Sequence, residues 1–405
     1  MNADAQINVN GIDQAEIIVS IPSYDGRYDL AKTVSVVDRG LSEFFSSRNS
    51  VIVNCDYSTN GATRDIFLGT ETRIPKIYIG SQDSGGKGLV LRASLQKVIE
   101  LNASMFVIVE PDASNIQPSW IHKLLEPLEK NFQFVAPLYV HHKDEDLLNS
   151  MLIYPMTRSL YGWRIRKPVG GELALRRELV ERMLEMDVWN QYVNSEGLAV
   201  CLSTLAMCFR QPMCQAFINQ PRKTIRKEEP EFFSYFNDVV GTVFSLMEPL
   251  EKYWKRVKWS RPTAILGIGS EDAEPAEEIE TDLDGLHERF LGGFRKYEEF
   301  WREVVSQSTY NKVQEIRNLD MNHFSFPAQT WTTILYDFAV AFRGKDDEYR
   351  EHLIEALLPL FYGKALSYVR KTERMSVQQA EDAIETECVV FEENKPYLIS
   401  RWEEN

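Results

Sequence analysis

Short apolar runs that stop abruptly at polar turns recur through the first third of the chain, with helical spacing between them. Residues 15–21 read as a buried strand and end at Pro22-Ser-Tyr-Asp-Gly26. Residues 51–53 end at Asn54-Cys-Asp-Tyr-Ser-Thr-Asn-Gly61, and residues 76–79 end at the glycine-rich segment 80–88. A fourth run, residues 105–109, releases Glu110, Pro111 and Asp112, and residues 133–139 make a fifth. Leu30, Val34, Val37 and Leu41 recur at helix spacing after the first run, as do Leu91, Leu95, Val98 and Ile99 after the third. Strand–helix alternation of this kind predicts an α/β fold with a mostly parallel, helix-covered sheet. Its post-strand loops then gather at one edge, where open α/β sheets hold their ligands.

Past residue 150 the pattern changes. Arg158, Arg164, Arg166 and Lys167 form a basic stretch, followed by a predicted flexible loop over residues 168–174. Helical spacing predicts helices over 180–186, 197–209 and 229–259, the last carrying Phe232, Phe236, Val239, Val243 and Leu246. Residues 268–282 hold seven acids and Pro275, which suits an exposed linker or loop. Leu283, Leu286, Phe290, Phe294, Tyr297, Trp301 and Val304 are spaced for another helix, and 331–342, 352–370 and 376–393 read likewise. The expected organisation is an α/β domain over 1–228 and a helical C-terminal domain over 229–405.

A net charge of −15 argues against a general nucleic-acid binder or an adhesin for anionic membranes. Five scattered cysteines suggest neither a zinc site nor a disulfide framework. No stretch approaches the roughly 20 apolar residues of a membrane span, and residues 1–14 lack the apolar core of a signal peptide. The expected setting is a reducing cytoplasm.

Three strand-end segments carry candidate chemistry. Glu110 and Asp112, at i and i+2, can share a divalent cation that in turn holds a diphosphate; two solvated acids are the plainer reading. Gly85, Gly86, Lys87 and Gly88 stand where a strand gives way to a helix, so backbone, helix N-terminus and ammonium can meet a phosphate. A helix start that needs glycine explains the same residues, and the spacing is not that of a Walker A loop. Asp56 and the hydroxyls after it can bind a base or ribose between Tyr24 and Tyr57, or can simply form an Asx-type turn. His141 and His142 are adjacent and diverge on either a strand or a helix, so no two-ligand metal site is expected there, and His323 and His352, isolated in the helical part, read as structural.

In order along the chain, these segments resemble GT-A nucleotide-sugar glycosyltransferases, and among them the retaining synthases of glucosylglycerate, mannosylglycerate and glucosyl-3-phosphoglycerate. The likeness is carried by Pro22-Ser-Tyr, Asp56-Tyr-Ser-Thr-Asn-Gly61, Gly86-Lys-Gly88, Glu110-Pro-Asp112 with Pro118-Ser-Trp-Ile121, and Val135-Ala-Pro-Leu-Tyr139. It continues through 154–162, 164–172, Cys214-Gln-Ala-Phe217, 336–341, Pro359-Leu-Phe-Tyr-Gly363 and Lys395-Pro-Tyr-Leu398.

The resemblance implies that Pro22, Ser23, Tyr24, Asp56 and Ser58 face the uridine or guanosine of UDP-glucose or GDP-mannose. Lys87 is then near the diphosphate, Asp112 is the principal ligand of Mg2+ or Mn2+, and Glu110 is its partner. Gly171, Glu172 and Leu173 lie at the transferred sugar and at a small anionic acceptor such as glycerate or 3-phosphoglycerate. Transfer proceeds with retention and without a named protein nucleophile. The helical region is expected to cover the acceptor side and to offer a homodimer surface.

Two departures stand out. The family has Gly-Ile-Asp where this chain reads Tyr192-Val-Asn-Ser-Glu-Gly197. It also supplies a histidine metal ligand after the strand containing Phe217, whereas residues 219–228 hold none. Either the metal site is rebuilt, with Arg222, Lys223 or Arg226 neutralising phosphate, or the chain is a non-catalytic nucleotide-sugar-binding relative. A nucleotidyltransferase is the third reading.

Overall fold

The computed structural model describes residues 5–25, 28–59, 61–80, 86–223, 229–269 and 273–404. The first stretch runs β1 (Ala5–Asn8), β2 (Ile17–Ser23), α1 (Leu30–Phe44), β3 (Ser50–Asp56), α2 (Ala62–Gly69), β4 (Lys76–Gly80), α3 (Lys87–Glu100) and β5 (Met105–Ile108). Next come α4 (Pro118–Glu129), β6 (Phe134–Val140) and a π-helical turn (Asn149–Ile153) that continues into α5 (Tyr154–Tyr161). They are followed by β7 (Leu173–Arg176), α6 (Arg177–Leu184), α7 (Leu198–Phe209), β8 (Met213–Pro221), α8 (Glu229–Met247), α9 (Glu251–Trp254) and β9 (Ala264–Leu266). Five helices end the chain: α10 (Leu283–Val304), α11 (Gln307–Arg317), α12 (Ala328–Phe342), α13 (Asp347–Thr372) and α14 (Val377–Glu404).

The chain forms two compact units and passes between them more than once. The first takes residues 1–140, 165–232 and 263–276; the second takes 141–164, 233–262 and 277–405. The expected cut after residue 228 falls near one of these crossings, at 232/233.

The first unit is a nine-stranded mixed sheet in the order β1-β4-β3-β2-β5-β7-β6-β8-β9. β2, β3, β4 and β5 run parallel, and so do β6, β8 and β9. β1 pairs antiparallel at one edge, and β7 runs antiparallel between β5 and β6. This is the predicted α/β class. Ile17, Val19 and Ile21 alternate toward a core completed by Val34, Val37 and Leu41 of α1 and by Trp120, Ile121 and Leu124 of α4. From β2 the strand order runs one way to β3 and β4 and the other way to β5, so β2 is a topological switch point.

Register then sets what meets at that edge. Ser23 lies opposite Asp56, so Tyr24 and Tyr57 leave the sheet side by side. Ile108 lies opposite Leu173 in the antiparallel pair, which brings Glu172 alongside the residues that follow β5. Val140 pairs with Pro221, so Arg222 leaves β8 at the same end of the sheet.

Several elements differ from expectation. Leu173 and Ala174, expected in a flexible loop, begin β7, because three consecutive apolar residues fill a fully covered strand. The predicted helix over 229–259 breaks between Met247 and Glu251, at Pro249, and ends at Trp254. β1 and α2, four and eight residues long, are too short to show a repeating apolar pattern, and α11 is a further helix beyond those expected.

The second unit is helical. α10 packs on α13, α12 on α14, and α14 on α5, around buried Trp301, Trp331 and Trp402. Among the described residues no helix is long and apolar enough to cross a membrane.

Candidate functional site

The strand-end edge of the first unit gathers two cations and four carboxylates. Lys87 Nζ lies 2.7 Å from Glu110 Oε1 and 3.4 Å from Glu196 Oε2. Arg222 Nη2 donates to Asp112 Oδ1 at 2.6 Å and to Glu172 Oε1 at 3.1 Å, while its Nε donates to Glu172 Oε2 at 3.0 Å. Tyr139 Oη also donates to Glu172, on the oxygen that receives Arg222 Nε. Glu172 has no exposed surface, and the side chains of Glu110, Arg222 and Lys87 are only 8%, 10% and 16% exposed. Charge-assisted hydrogen bonds at this depth are the strong kind, and opening one leaves a buried charge without its partner.

Burial pushes the Glu110 carboxyl up to about 7, with the charge of Asp112 adding to the effect and Lys87 opposing it. Burial also works against the charge of Arg222, but Glu172 and Asp112 outweigh it and raise its pKa. Lys87 follows the same rule: burial opposes its charge, and Glu110 and Glu196 more than compensate.

Beside the charges lies an aromatic pair. The rings of Tyr24 and Tyr57 stack at 5.6 Å between centroids, and Tyr28 tilts against Tyr24 at 4.8 Å. The Thr59 amide donates to Asp25 Oδ2 at 2.8 Å, tying the turn after β2 to the turn after β3. Burial raises the hydroxyl pKa of Tyr24, and Asp112 and Glu110 add to the rise.

The expected nucleoside-facing residues differ in what they offer. Asp56 Oδ1 accepts from the Ser58 amide at 2.9 Å, and Oδ2 accepts from Thr63 Oγ1 at 2.8 Å and Tyr78 Oη at 2.9 Å. This is the Asx-type turn that the sequence also allowed. Pro22 and Ser23 are buried in β2, where Ser23 Oγ accepts from Asn54 Nδ2 at 3.0 Å. Leu173 is a core residue of β7. Tyr24, Tyr57, Lys87, Glu110, Asp112, Gly171, Glu172 and Arg222 come together; the Asp56 carboxylate is engaged by the turn after β3 and by Tyr78.

The glycines serve a different purpose from the one their spacing suggests. A Cβ on Gly88 would sit 2.0 Å from Val193 O, and one on Gly86 would sit 2.7 Å from Asn194 O. The Gly88 and Leu89 amides donate to Ser195 O and Asn194 O at 3.2 and 3.1 Å. The first turn of α3 is therefore capped by the 193–195 segment, and Lys87 contributes its side chain rather than a bare helix end. Gly85 lies outside the described residues, as do Gly26, Asn60 and Arg226. Gly171 makes room for an arginine: a Cβ there would meet Arg222 Nη2 at 2.7 Å and Glu110 Cγ at 3.0 Å.

The residues present do not fit a shared divalent ion. Each acid of the Glu110-Pro111-Asp112 turn is engaged by its own cation, Glu110 by Lys87 and Asp112 by Arg222. Among the described residues no three His, Cys, Asp or Glu side chains are grouped to hold a metal. An ion at Asp112 has first to displace a guanidinium.

No family model matches the chain, and no curated protein matches it. Similar solved structures include a mycobacterial protein at 16% identity and TM-score 0.43, covering 58% of this chain and 75% of that one. They also include glucosyl-3-phosphoglycerate synthase from Mycobacterium tuberculosis with Mn2+, UDP and phosphoglyceric acid, at 16% identity and TM-score 0.42, covering 58% and 78%. The same synthase with Mn2+, UDP and glucosyl-3-phosphoglycerate aligns at 15% identity and TM-score 0.42 over 65% and 89%. Matches this distant carry no functional weight.

Proposed function

We propose that the first unit binds a nucleoside-diphosphate hexose and transfers the sugar, with retention, to a small anionic acceptor such as glycerate or 3-phosphoglycerate. The observation supporting this is the convergence of Lys87 and Arg222 on the Glu110-Pro111-Asp112 turn, near the Tyr24–Tyr57 stack, at the switch point of a mostly parallel sheet. The two fixed cations suit a diphosphate; the Tyr24 and Tyr57 rings stack on each other rather than leaving a slot between them, so a base meets the edge of that pair. UDP-glucose and GDP-mannose are the donors to test.

In the transfer, the bond between the sugar C1 and the β-phosphate oxygen breaks as the acceptor hydroxyl oxygen bonds C1 on the same face. The hydroxyl proton passes to the departing diphosphate. Lys87 and Arg222 stabilise the charge that grows on that leaving group. Glu172 is not assigned as a nucleophile, because both its oxygens are engaged by Arg222 and it is fully buried. It acts by holding Arg222.

A second reading, a nucleotide-sugar-binding protein without turnover, is favoured by that same engagement of Asp112 and Glu172. Calorimetry with UDP, UDP-glucose, GDP and GDP-mannose tests the binding. Product analysis with glycerate and 3-phosphoglycerate separates the readings: glycosylated acceptor supports transfer, and binding without product supports the second.

A further inference from the structure

We infer that Arg222 takes the place of a divalent cation, so that this site binds the diphosphate of its nucleotide without any metal ion. The inference rests on the nucleoside-diphosphate reading above. Its basis is one nitrogen: Arg222 Nη2 bridges Asp112 Oδ1 at 2.6 Å and Glu172 Oε1 at 3.1 Å, joining two carboxylates much as an ion would. The bridge is built in from several directions. Register brings Arg222 out of β8 at the ligand edge, and Glu172 fixes the plane of the guanidinium through a second bond from Nε. Tyr139 fixes Glu172, and Gly171 leaves the space that Nη2 occupies.

A guanidinium stays charged at every accessible pH and cannot be removed by a chelator. Lys87 supplies the second fixed cation on the other acid of the same turn. Its longer contact, 3.4 Å to the partly exposed Glu196, is the one a diphosphate displaces. A divalent ion entering at Asp112 would face a guanidinium that is 10% exposed and has both its acid partners in place. Desolvation and like charge both oppose that entry.

The test is calorimetric titration of the full chain with UDP, once in EDTA and once with Mn2+. The inference predicts equal affinity in the two, within about twofold. Tightening by Mn2+ of about tenfold or more would overturn the inference while leaving the nucleotide reading intact. Absence of binding in both buffers would overturn the nucleotide reading itself, and the inference with it. Arg222→Gln adds a second measurement: its affinity for UDP in EDTA falls by about tenfold or more, and an unchanged affinity overturns the role assigned to Arg222. Should this variant fail to fold, the two wild-type titrations still decide.

Discussion

Both units bury ion pairs, but they arrange them differently. In the helical unit each pair joins two helices: Lys364 of α13 meets Glu387 of α14 at 2.8 Å, and Arg158 of α5 meets Glu392 of α14 at 2.8 Å. Arg401 of α14 reaches Asp337 of α12 at 3.3 Å. In the sheet unit the charges come from turns at the strand-end edge and from the first residue of α3, and four carboxylates share two cations. A pair between helices fixes packing. A cluster at the ligand edge of the sheet can exchange a partner for a ligand, as Lys87 can exchange its 3.4 Å contact to Glu196.

The largest predicted effect follows from that contrast. Arg222→Leu strands Asp112 and Glu172 and costs the sheet unit about 3–5 kcal/mol, read by denaturant unfolding. Lys364→Met costs the helical unit a similar amount. Replacing Lys364 and Glu387 together by Met restores stability to near wild type, because a well-packed apolar pair substitutes for a purely structural ion pair. Failure of that rescue would break the contrast.

Next in size is Gly88→Ala. The added Cβ lies 2.0 Å from Val193 O, and backbone on backbone has nowhere to yield. Destabilisation of about 1–3 kcal/mol is expected, with Gly69→Ala, whose Cβ meets nothing within 4 Å, as the mild control. Equal effects would show that the 193–195 segment does not cap α3.

Lys87→Ala comes third, weakening UDP binding by about tenfold. Because this variant leaves Glu110 buried and unpaired, it is compared with Lys87→Ala/Glu110→Gln, which restores stability but not affinity. An unchanged affinity would reduce Lys87 to a structural partner of Glu110.

The smallest effect is a pH dependence. Folding raises the Glu110 carboxyl to about 7, above its ordinary value near 4.3. Its contribution to stability is therefore fully present below the ordinary value and is lost as pH rises through about 7. The melting temperature of the wild type relative to Glu110→Gln should fall between pH 5 and 8; a flat difference would contradict the burial argument.

The sequence revealed the strands of the parallel half because four apolar runs ended in polar turns, and Glu110, Asp112, Lys87 and Tyr24 were legible as residues at those ends. It did not reveal β7, whose Leu-Ala-Leu follows two glycines and reads as loop until β5 and β6 are seen to flank it. Nor could it choose among the basic residues after Phe217. Only the β6–β8 register, ending at Pro221, selects Arg222. The glycines near Lys87 were visible, but the carbonyls they accommodate are more than 100 residues away in sequence. Long-range register is what local pattern lacks.

Hydrogen exchange of the full chain, with and without UDP in the presence of a chelator, tests the central claim most directly. The account predicts slowed exchange together at residues 23–25, 57–59, 87–91, 110–114 and 222–223. Protection confined to other segments, or none at saturating nucleotide, would contradict it.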